Sequence, residues 1–336
     1  MIARRVRRTI EERGLVRPGD TVVVAVSGGP DSTALLHVLA RLSGDLGIEL
    51  LAVGVDHGLR AHAAVELDGA EALARRLHVP FERVRIEEAP TGASLQAWAR
   101  AARYRALLEA GARRGARLVA TGHTADDQAE TVLARVLRGG GLRGLGGIDP
   151  ARSDGVIRPL IDCLRGAVRS YLTEHGVASS IDPSNEDGRF ERARIRLQIL
   201  PALLSEQPLA IERLAALADE AREADRALDA SAAGLLARAV RPDGLAVDAL
   251  RVAPASIAVR ALRRWAEAKS ARAIGRAHLV ALLARLQGDG EVLLPGGWIA
   301  RRGGSRLELE PPRNERLSEV SVSSGLPRGP VSDEEE

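Results

Sequence analysis

Val22-Val23-Val24-Ala25-Val26-Ser27-Gly28-Gly29-Pro30-Asp31-Ser32-Thr33-Ala34-Leu35-Leu36 reads as a buried strand, a tight turn and the start of a helix. The β-branched run favours a strand. The Ser-Gly-Gly turn ends it, and an apolar helical pattern follows at once. Such a turn sets backbone N–H groups and two hydroxyls around a concavity at the positive end of a helix dipole. A phosphate or pyrophosphate is stabilised there. The loop has no Gly-Lys-[Ser/Thr], so no lysine reaches terminal phosphates from it. It has no G-x-G-x-x-G either, which excludes a dinucleotide fingerprint. Asp31 is the unusual member, because a carboxylate among phosphate-binding amides is repulsive unless a cation intervenes. Magnesium, held by carboxylates and substrate phosphates together, is the usual mediator. The plain alternative is a glycine-rich βα turn with Asp31 or Ser32 as an N-cap. A bare Gly-Gly would fit it, whereas Ser-Gly-Gly-x-Asp-Ser after a buried strand points to a phosphate site.

Outward from this stretch, strand-like runs alternate with helical patterns. Strands are predicted near 21–26, 48–55, 83–86 and 117–121, and helices near 32–43, 64–78, 94–114 and 124–138. This alternation predicts an α/β fold with a parallel, doubly wound sheet. Ligands of such sheets bind beyond the strand C-termini. There lie Ser27–Ser32, Asp56-His57-Gly58, and Thr121-Gly122-His123 with the helix that starts at Thr124. The glycine-dense stretch Gly139–Gly147 suits a mobile lid. A further helix is expected near 165–175, a turn at Asp182-Pro183-Ser184-Asn185, and a basic helix from about Phe190. The chain then divides into a helical linker over 206–242 and a small α+β unit over 243–310. That unit has helices near 254–269 and 275–287 and strands at 291–294, 297–302 and 305–309. Pro, Ser, Gly and acids dominate 311–336, which predicts a disordered tail.

The second chemical constellation is Thr121-Gly122-His123-Thr124-Ala125-Asp126-Asp127-Gln128-Ala129-Glu130-Thr131. Thr124 suits an N-cap, and acids in the first turn complement the helix dipole. Capping explains Asp126 but not the set. Asp127 and Glu130 stand at i and i+3, so both carboxylates share one helical face. Beside a phosphate loop, that pair can hold magnesium or bind the amino groups of a cationic substrate.

Composition sets bounds. The 336 residues allow two or three domains. Aromatic residues are only 2%, so Ala, Leu and Val must build the interior. Of 48 Lys and Arg residues, Lys269 is the single lysine, and the net charge is only +3. Whole-chain charge therefore does not demand nucleic acid. Local clustering is more informative: Arg251, Arg260, Arg263, Arg264, Lys269, Arg272 and Arg276 stand against Glu267 alone. Such a cluster is either a solvated helix face or a nucleic-acid backbone patch. Cys163 is the only cysteine, which excludes internal disulfides and Cys-x-x-Cys sites. The N-terminal Met-Ile-Ala-Arg-Arg-Val-Arg-Arg lacks a following apolar run, and no stretch is long and apolar enough to span a membrane. A cytoplasmic enzyme without a membrane partner is the expectation.

The loop Ser27–Ser32 resembles the pyrophosphate loop of ATP pyrophosphatases, which split ATP into AMP and pyrophosphate and so adenylylate an oxygen. Six segments occur in order: Ser27–Ser32, Asp56-His57-Gly58-Leu59-Arg60, Gly122–Thr131, Arg138-Gly139-Gly140-Gly141-Leu142-Arg143-Gly144-Leu145, Arg158-Pro159-Leu160 and Asp182-Pro183-Ser184-Asn185. Together they look like the catalytic domain of the tRNA(Ile)-lysidine synthase family, over about residues 1–205. The 243–310 unit is similar to that family's small substrate (tRNA)-binding domain. The resemblance implies an adenine nucleotide α-hydrolase-like fold and a ligase that forms a carbon–nitrogen bond. Free L-lysine would be joined to C2 of the wobble cytidine of the isoleucine tRNA with a CAU anticodon, by way of an adenylylated base. It implies ATP on Ser27, Gly28, Gly29, Pro30, Asp31 and Ser32, and Mg2+ on Asp31 and Asp127. Lysine would meet Asp127, Glu130 and Arg103. Asp31, His123, Asp127 and Glu130 would be catalytic, with His123 a candidate proton acceptor for the attacking amine. The adenine would pack near Val55 and Val119. The tRNA would meet Arg100, Arg138, Arg143, Arg192, Arg194, Arg196, Arg263 and Arg264, and a homodimer is among the assemblies the resemblance allows.

The pattern departs from the family at Arg192-Ala193-Arg194-Ile195-Arg196, where Ala193 replaces an asparagine. It departs again before Asp182, where Ser-Ile replaces an aromatic and an acid. Three rival readings stay open: another ATP pyrophosphatase, a non-catalytic nucleotide-binding module, and an RNA-binding protein with a vestigial loop. The lone cysteine argues against a thiolation enzyme. The lack of an N-terminal Cys nucleophile argues against ammonia-channelling synthetases, and the paired acids argue against a passive module.

Overall fold

The computed structural model describes residues 1–56, 63–86, 95–180 and 191–312. The chain forms two compact units, Met1–Arg222 and a second from Glu223 onward. Asp56 is described but His57–Arg60 are not; the Asp182–Asn185 turn and the tail from 313 also lie outside the described residues.

The first unit opens with α1 (Ile2–Arg13), then β1 (Thr21–Val26), α2 (Pro30–Leu46), β2 (Glu49–Asp56), α3 (Ala63–Arg76) and β3 (Phe81–Arg85). It continues through α4 (Leu95–Ala112), β4 (Leu118–Ala120), α5 (Ala125–Leu137), α6 (Leu142–Leu145), β5 (Val156–Ile157) and α7 (Arg165–Glu174). After α8 (Glu191–Arg194) comes a π-helical turn, Ile195–Ile199, then α9 (Leu200–Glu206) and the long α10 (Ala210–Ala239), which runs on into the second unit.

The sheet order is β3-β2-β1-β4-β5, and every pairing is parallel. Val24 pairs with Ala52 on one side and Ala120 on the other, which makes β1 the central strand. Its valines serve both faces, as a doubly covered parallel strand requires. Val22, Val24 and Val26 pack with Leu35, Leu36 and Leu39 of α2, while Val23 packs with Leu107 and Ala110 of α4. From β1 the chain winds outward to β3 and returns on the other flank at β4. The crevice beyond the ends of β1 and β4 is therefore the topological switch point, where such sheets bind ligands.

Several elements here, α1, β5 and the short α6 among them, are absent from the sequence reading. In α1, Ile2, Val6 and Ile10 recur every four residues and are buried, but arginines surround them. The two-residue β5 is too short to show a pattern. The glycine-dense stretch also differs from the expected lid. It contains the single turn α6, and Arg135 Nη1 donates to the carbonyls of Gly144 and Gly147, both at 2.8 Å. Arg222 Nη2 donates to Gly146 O at 2.6 Å and Ile148 O at 3.1 Å. Guanidinium-to-carbonyl bonds thus brace a segment whose composition alone reads as loose. Cys163 is buried, and burial pushes its thiol up to about 12.

The second unit adds β6 (Val240–Arg241), β7 (Gly244–Ala246), α11 (Val247–Arg251), α12 (Ala255–Ser270), α13 (Arg276–Arg285), β8 (Gly290–Leu293), β9 (Ile299–Gly303) and β10 (Arg306–Glu310). Its antiparallel sheet runs β6-β7-β10-β9-β8. Leu245, Leu250, Leu262, Trp265, Leu279, Leu282 and Leu307 form a core of its own. Arg260 of α12 is tied by ion pairs to Asp225 and Asp229 of α10.

Candidate active site

The turn after β1 is shaped from within. Ser32 Oγ accepts from Ser27 N at 3.1 Å and donates to Gly29 O at 3.0 Å. Thr33 Oγ1 donates to Gly28 O at 3.3 Å. Gly28 has φ +77°, and a Cβ there would stand 2.7 Å from the carbonyl oxygen of Glu66. Only glycine fits that position. Helix α2 then starts with Gly29 as N-cap, no side-chain cap bond, and Pro30 at its first positions. Proline there forfeits no useful donor, and the helix end keeps its positive character for an anion.

Asp31 sits in that first turn. Burial pushes its carboxyl up to about 6, with the Asp127 charge adding to the rise and Arg165 opposing it. Its Oδ1 is buried and has no hydrogen-bond partner. An unpartnered buried carboxylate oxygen is costly, and a divalent cation is the group that relieves it. The donor chemistry at Asp31 therefore fits magnesium. Among the described residues no three His, Cys, Asp or Glu side chains gather as a metal site. Such an ion would complete its shell with substrate phosphates and water.

The turn after β4 lies against the first one. A Cβ on Gly122 would be 2.9 Å from the Asp31 carbonyl carbon and 3.0 Å from Ser32 N. The two backbones meet there, and glycine permits it. His123 Nδ1 is 3.0 Å from Thr121 Oγ1. Burial, ahead of the opposing pull of Asp127, lowers the His123 pKa to about 4, and the Arg158, Arg192 and Arg100 charges reinforce the fall. The imidazole is neutral at physiological pH.

Helix α5 is capped, but not by the acid the sequence suggests. Asp127 Oδ2 accepts from Thr124 N at 2.8 Å and from Thr124 Oγ1 at 2.9 Å. Asp126 instead accepts the backbone N–H of Arg165 at 2.7 Å, capping α7.

On the far side of Asp127 three guanidiniums converge. Oδ1 of Asp127 receives Arg165 Nη2 at 3.0 Å and Arg192 Nη2 at 2.9 Å. Glu130 receives Arg165 at 3.1 Å, Arg192 Nε at 2.8 Å and Arg196 Nε at 2.7 Å. The Glu130 side chain is 0% exposed. Burial alone would raise both carboxyls. Arg165 and then Arg192 outweigh it at Asp127, and hydrogen bonding from Arg196 does so at Glu130, so both stay below the usual range. Both oxygens of Asp127 are thus engaged, and a metal at Asp127 would have to displace a guanidinium. Asp31 is the better metal ligand of the expected pair.

The remaining expected residues scatter. Arg192 and Arg196, read from sequence as RNA contacts, turn onto Asp127 and Glu130; the π-helical turn carries Arg196 there. A π-turn of this kind is often a functional device. Arg194 is exposed on α8, and Arg103 is exposed on α4. On the same helix, Arg100 lies over the Tyr104 ring at 5.1 Å. Arg138 pairs with Glu191. Arg143 is exposed on α6, while Arg263 and Arg264 lie on α12 of the second unit. Val55 is half-buried on β2 and Val119 is buried on β4, the two strands that flank β1. The sequence reading missed Arg165; its only signal is its place five residues after Leu160 in the Arg158-Pro159-Leu160 segment.

Comparison with known proteins bears on the family and the fold. A PP-loop domain family matches residues 1–203, and a TilS substrate binding domain matches 245–307. A tRNA(Ile)-lysidine synthase of Salinispora tropica is 37% identical over 92% of this chain and 96% of its own length. One from Symbiobacterium thermophilum is 45% identical over 67% of this chain, which spans only about half (48%) of that relative. One from Thermus thermophilus is 39% identical over 88% of this chain and 58% of its own length. Among solved structures, the U34-tRNA thiolase NcsA from Methanococcus maripaludis, with its [4Fe-4S] cluster, superposes with a TM-score of 0.57. It is 17% identical and covers 65% of this chain and 77% of its own; the likeness is one of fold.

Proposed function

The chain belongs to the tRNA(Ile)-lysidine synthase family, and on that premise we propose that it joins free lysine to C2 of the wobble cytidine of tRNA(Ile) at the expense of ATP. The observation that carries this reading is the contact at Gly122 between two adjoining turns. One presents an uncapped helix N-terminus and the other a pair of ionised carboxylates. An anionic and a cationic substrate can therefore be held side by side.

In this reading the triphosphate lies on the Ser27–Ser32 turn, its charge met by backbone N–H groups of α2. Magnesium held by Asp31 would offset charge on the departing pyrophosphate. The cytosine O2 attacks the α-phosphate, and pyrophosphate leaves. A pyrimidine oxygen is a poor leaving group, and adenylylation makes it a good one. The lysine amine then attacks C2 and expels AMP. Asp127 and Glu130 anchor an ammonium group, displacing solvent-facing guanidiniums, and Arg103 takes the substrate carboxylate. His123 is neutral, so it is able to accept the proton that the attacking amine sheds. With Nδ1 at Thr121, Nε2 is the nitrogen left for that task. Its depressed pKa makes it a weak base until nearby phosphate charge raises it.

The target base must leave its stack to be reached. The exposed Arg143 and Arg194 suit phosphate contacts in the first unit. Arg263 and Arg264 suit them in the second, which provides the tRNA-binding module. No helix among the described residues is long and apolar enough to cross a membrane, and we place the enzyme in the cytoplasm. The test is incubation of the purified protein with radiolabelled lysine, ATP and total tRNA. Label should enter one tRNA with release of AMP. AMP release without tRNA labelling would refute the assignment.

A further inference from the structure

We propose that Arg165 is the positioning residue of the lysine site, a fixed fork that presents Asp127 and Glu130 as one pair towards the phosphate loop. The proposal deepens the reading that these carboxylates receive an ammonium group, and it rests on that reading.

Three observations support it. Arg165 is the first residue of α7, and its own N–H is held by Asp126 Oδ2 at 2.7 Å. Its backbone is thereby pinned to the first turn of α5. Its guanidinium then reaches back to that helix, with Nη2 3.0 Å from Asp127 Oδ1 and 3.1 Å from Glu130 Oε1. One planar group bridges residues at i and i+3, a task that suits the arginine fork and not a point charge. Finally, exposure separates the three cations. The Arg165 side chain is 14% exposed, against 47% for Arg192 and 30% for Arg196.

That separation has a charge consequence. Three guanidiniums match the three carboxylates of Asp126, Asp127 and Glu130, which leaves little attraction for an incoming cation. If the two exposed arginines swing away, the three carboxylates and Arg165 together keep two net negative charges. An ammonium group is drawn to them. If Arg165 left as well, two adjacent carboxylates would face each other with Glu130 fully buried, an arrangement that resists full ionisation.

Steady-state kinetics of the full chain with ATP, lysine and tRNA test this, with Arg165→Gln, Arg165→Lys and Asp127→Asn compared. Arg165→Gln should raise KM for lysine by ~20-fold and leave kcat and KM for ATP within about threefold. Arg165→Lys, which keeps the charge but not the fork, should recover part of the affinity. Asp127→Asn should also raise KM for lysine. If Asp127→Asn raises it and Arg165→Gln leaves it within twofold, Arg165 positions nothing, while the carboxylate site stands. If neither variant moves it, the carboxylate reading fails and the proposal falls with it. Should Arg165→Gln not fold, Arg165→Lys decides: a folded variant that loses kcat at unchanged KM for lysine overturns the proposal.

Discussion

Helices α2 and α5 start beside one another at the ends of neighbouring strands, and they finish their first turns in opposite ways. The turn before α2 leaves its N–H groups without a side-chain cap and buries one carboxylate with an unpartnered oxygen. The turn before α5 closes itself with Thr124 and Asp127 and turns its acids onto arginines. Both are βα junctions of one parallel sheet with the same dipole direction. An open helix end attracts anions. A closed one has spent that attraction, and its acids are then available to bind cations. The proposed reaction, which brings ATP next to an amine, needs one of each, and the switch point is where two such junctions adjoin.

The contrast is broken most strongly at Asp31. Asp31→Asn should lower AMP formation by ~10³-fold or more, because the carboxylate that would hold a divalent cation against the phosphates is gone. The same variant should be more stable at pH 7. The folded carboxyl titrates near 6 instead of 3.8, so the folded state holds its proton more tightly and loses stability as pH rises between those values. Asparagine escapes that loss, a gain of ~1–3 kcal/mol in urea denaturation. A variant that is less stable at pH 7 contradicts the account of a strained, functional acid.

His123 sharpens the contrast with the reverse sign. Its folded pKa is about 4 against an ordinary 6.5, so the unfolded chain binds the proton first. Stability from the neutral imidazole is complete above 6.5 and is lost as pH falls towards 4, by ~2–3 kcal/mol. Denaturation of His123→Gln and Asp31→Asn at pH 4.5 and 7.5 should tilt in opposite directions relative to the parent. Parallel tilts would show that the two turns do not differ in this way.

Gly122→Ala tests whether the turns must touch. A methyl group 2.9 Å from the Asp31 backbone has to push one turn away, at ~1–3 kcal/mol of stability. kcat/KM for ATP and for lysine should fall together, by ~10-fold or more. Thr124→Ala should have the smallest effect, ~1 kcal/mol from the lost cap. Activity should stay within about threefold, since Asp127 keeps Arg165 and Arg192. A melting-temperature series and initial rates measure both.

Much of this was legible in the sequence, for reasons that are local. Val22–Leu36 announces itself because a buried strand, a glycine turn and a helix start follow without interruption. Thr124 reads as a cap, and Asp127 with Glu130 as one face, because α-helical spacing is fixed. The small unit expected over 243–310 has β7 near its start, at Gly244, while the compact second unit begins earlier, at Glu223. What stayed hidden depends on contacts distant in sequence. Which of Asp126 and Asp127 caps α5 is settled by Arg165, which lies nearly forty residues on. Arg192 and Arg196 read as RNA contacts because nothing local tells a paired arginine from a free one. The braces on the glycine-dense stretch come from Arg135 and Arg222, the latter on α10. The amphipathic α1 is masked by the arginines on its outer side.

Cys163 carries a practical consequence. The only thiol of the chain is buried at 2% exposure and resists ionisation, so alkylating dyes will scarcely react with it in the native protein. Fluorophore pairs attached through cysteines introduced on the surface of each unit would report with almost no background. The distance between the unit that matches the PP-loop domain and the unit that matches the substrate binding domain could then be followed in solution without first removing a native cysteine.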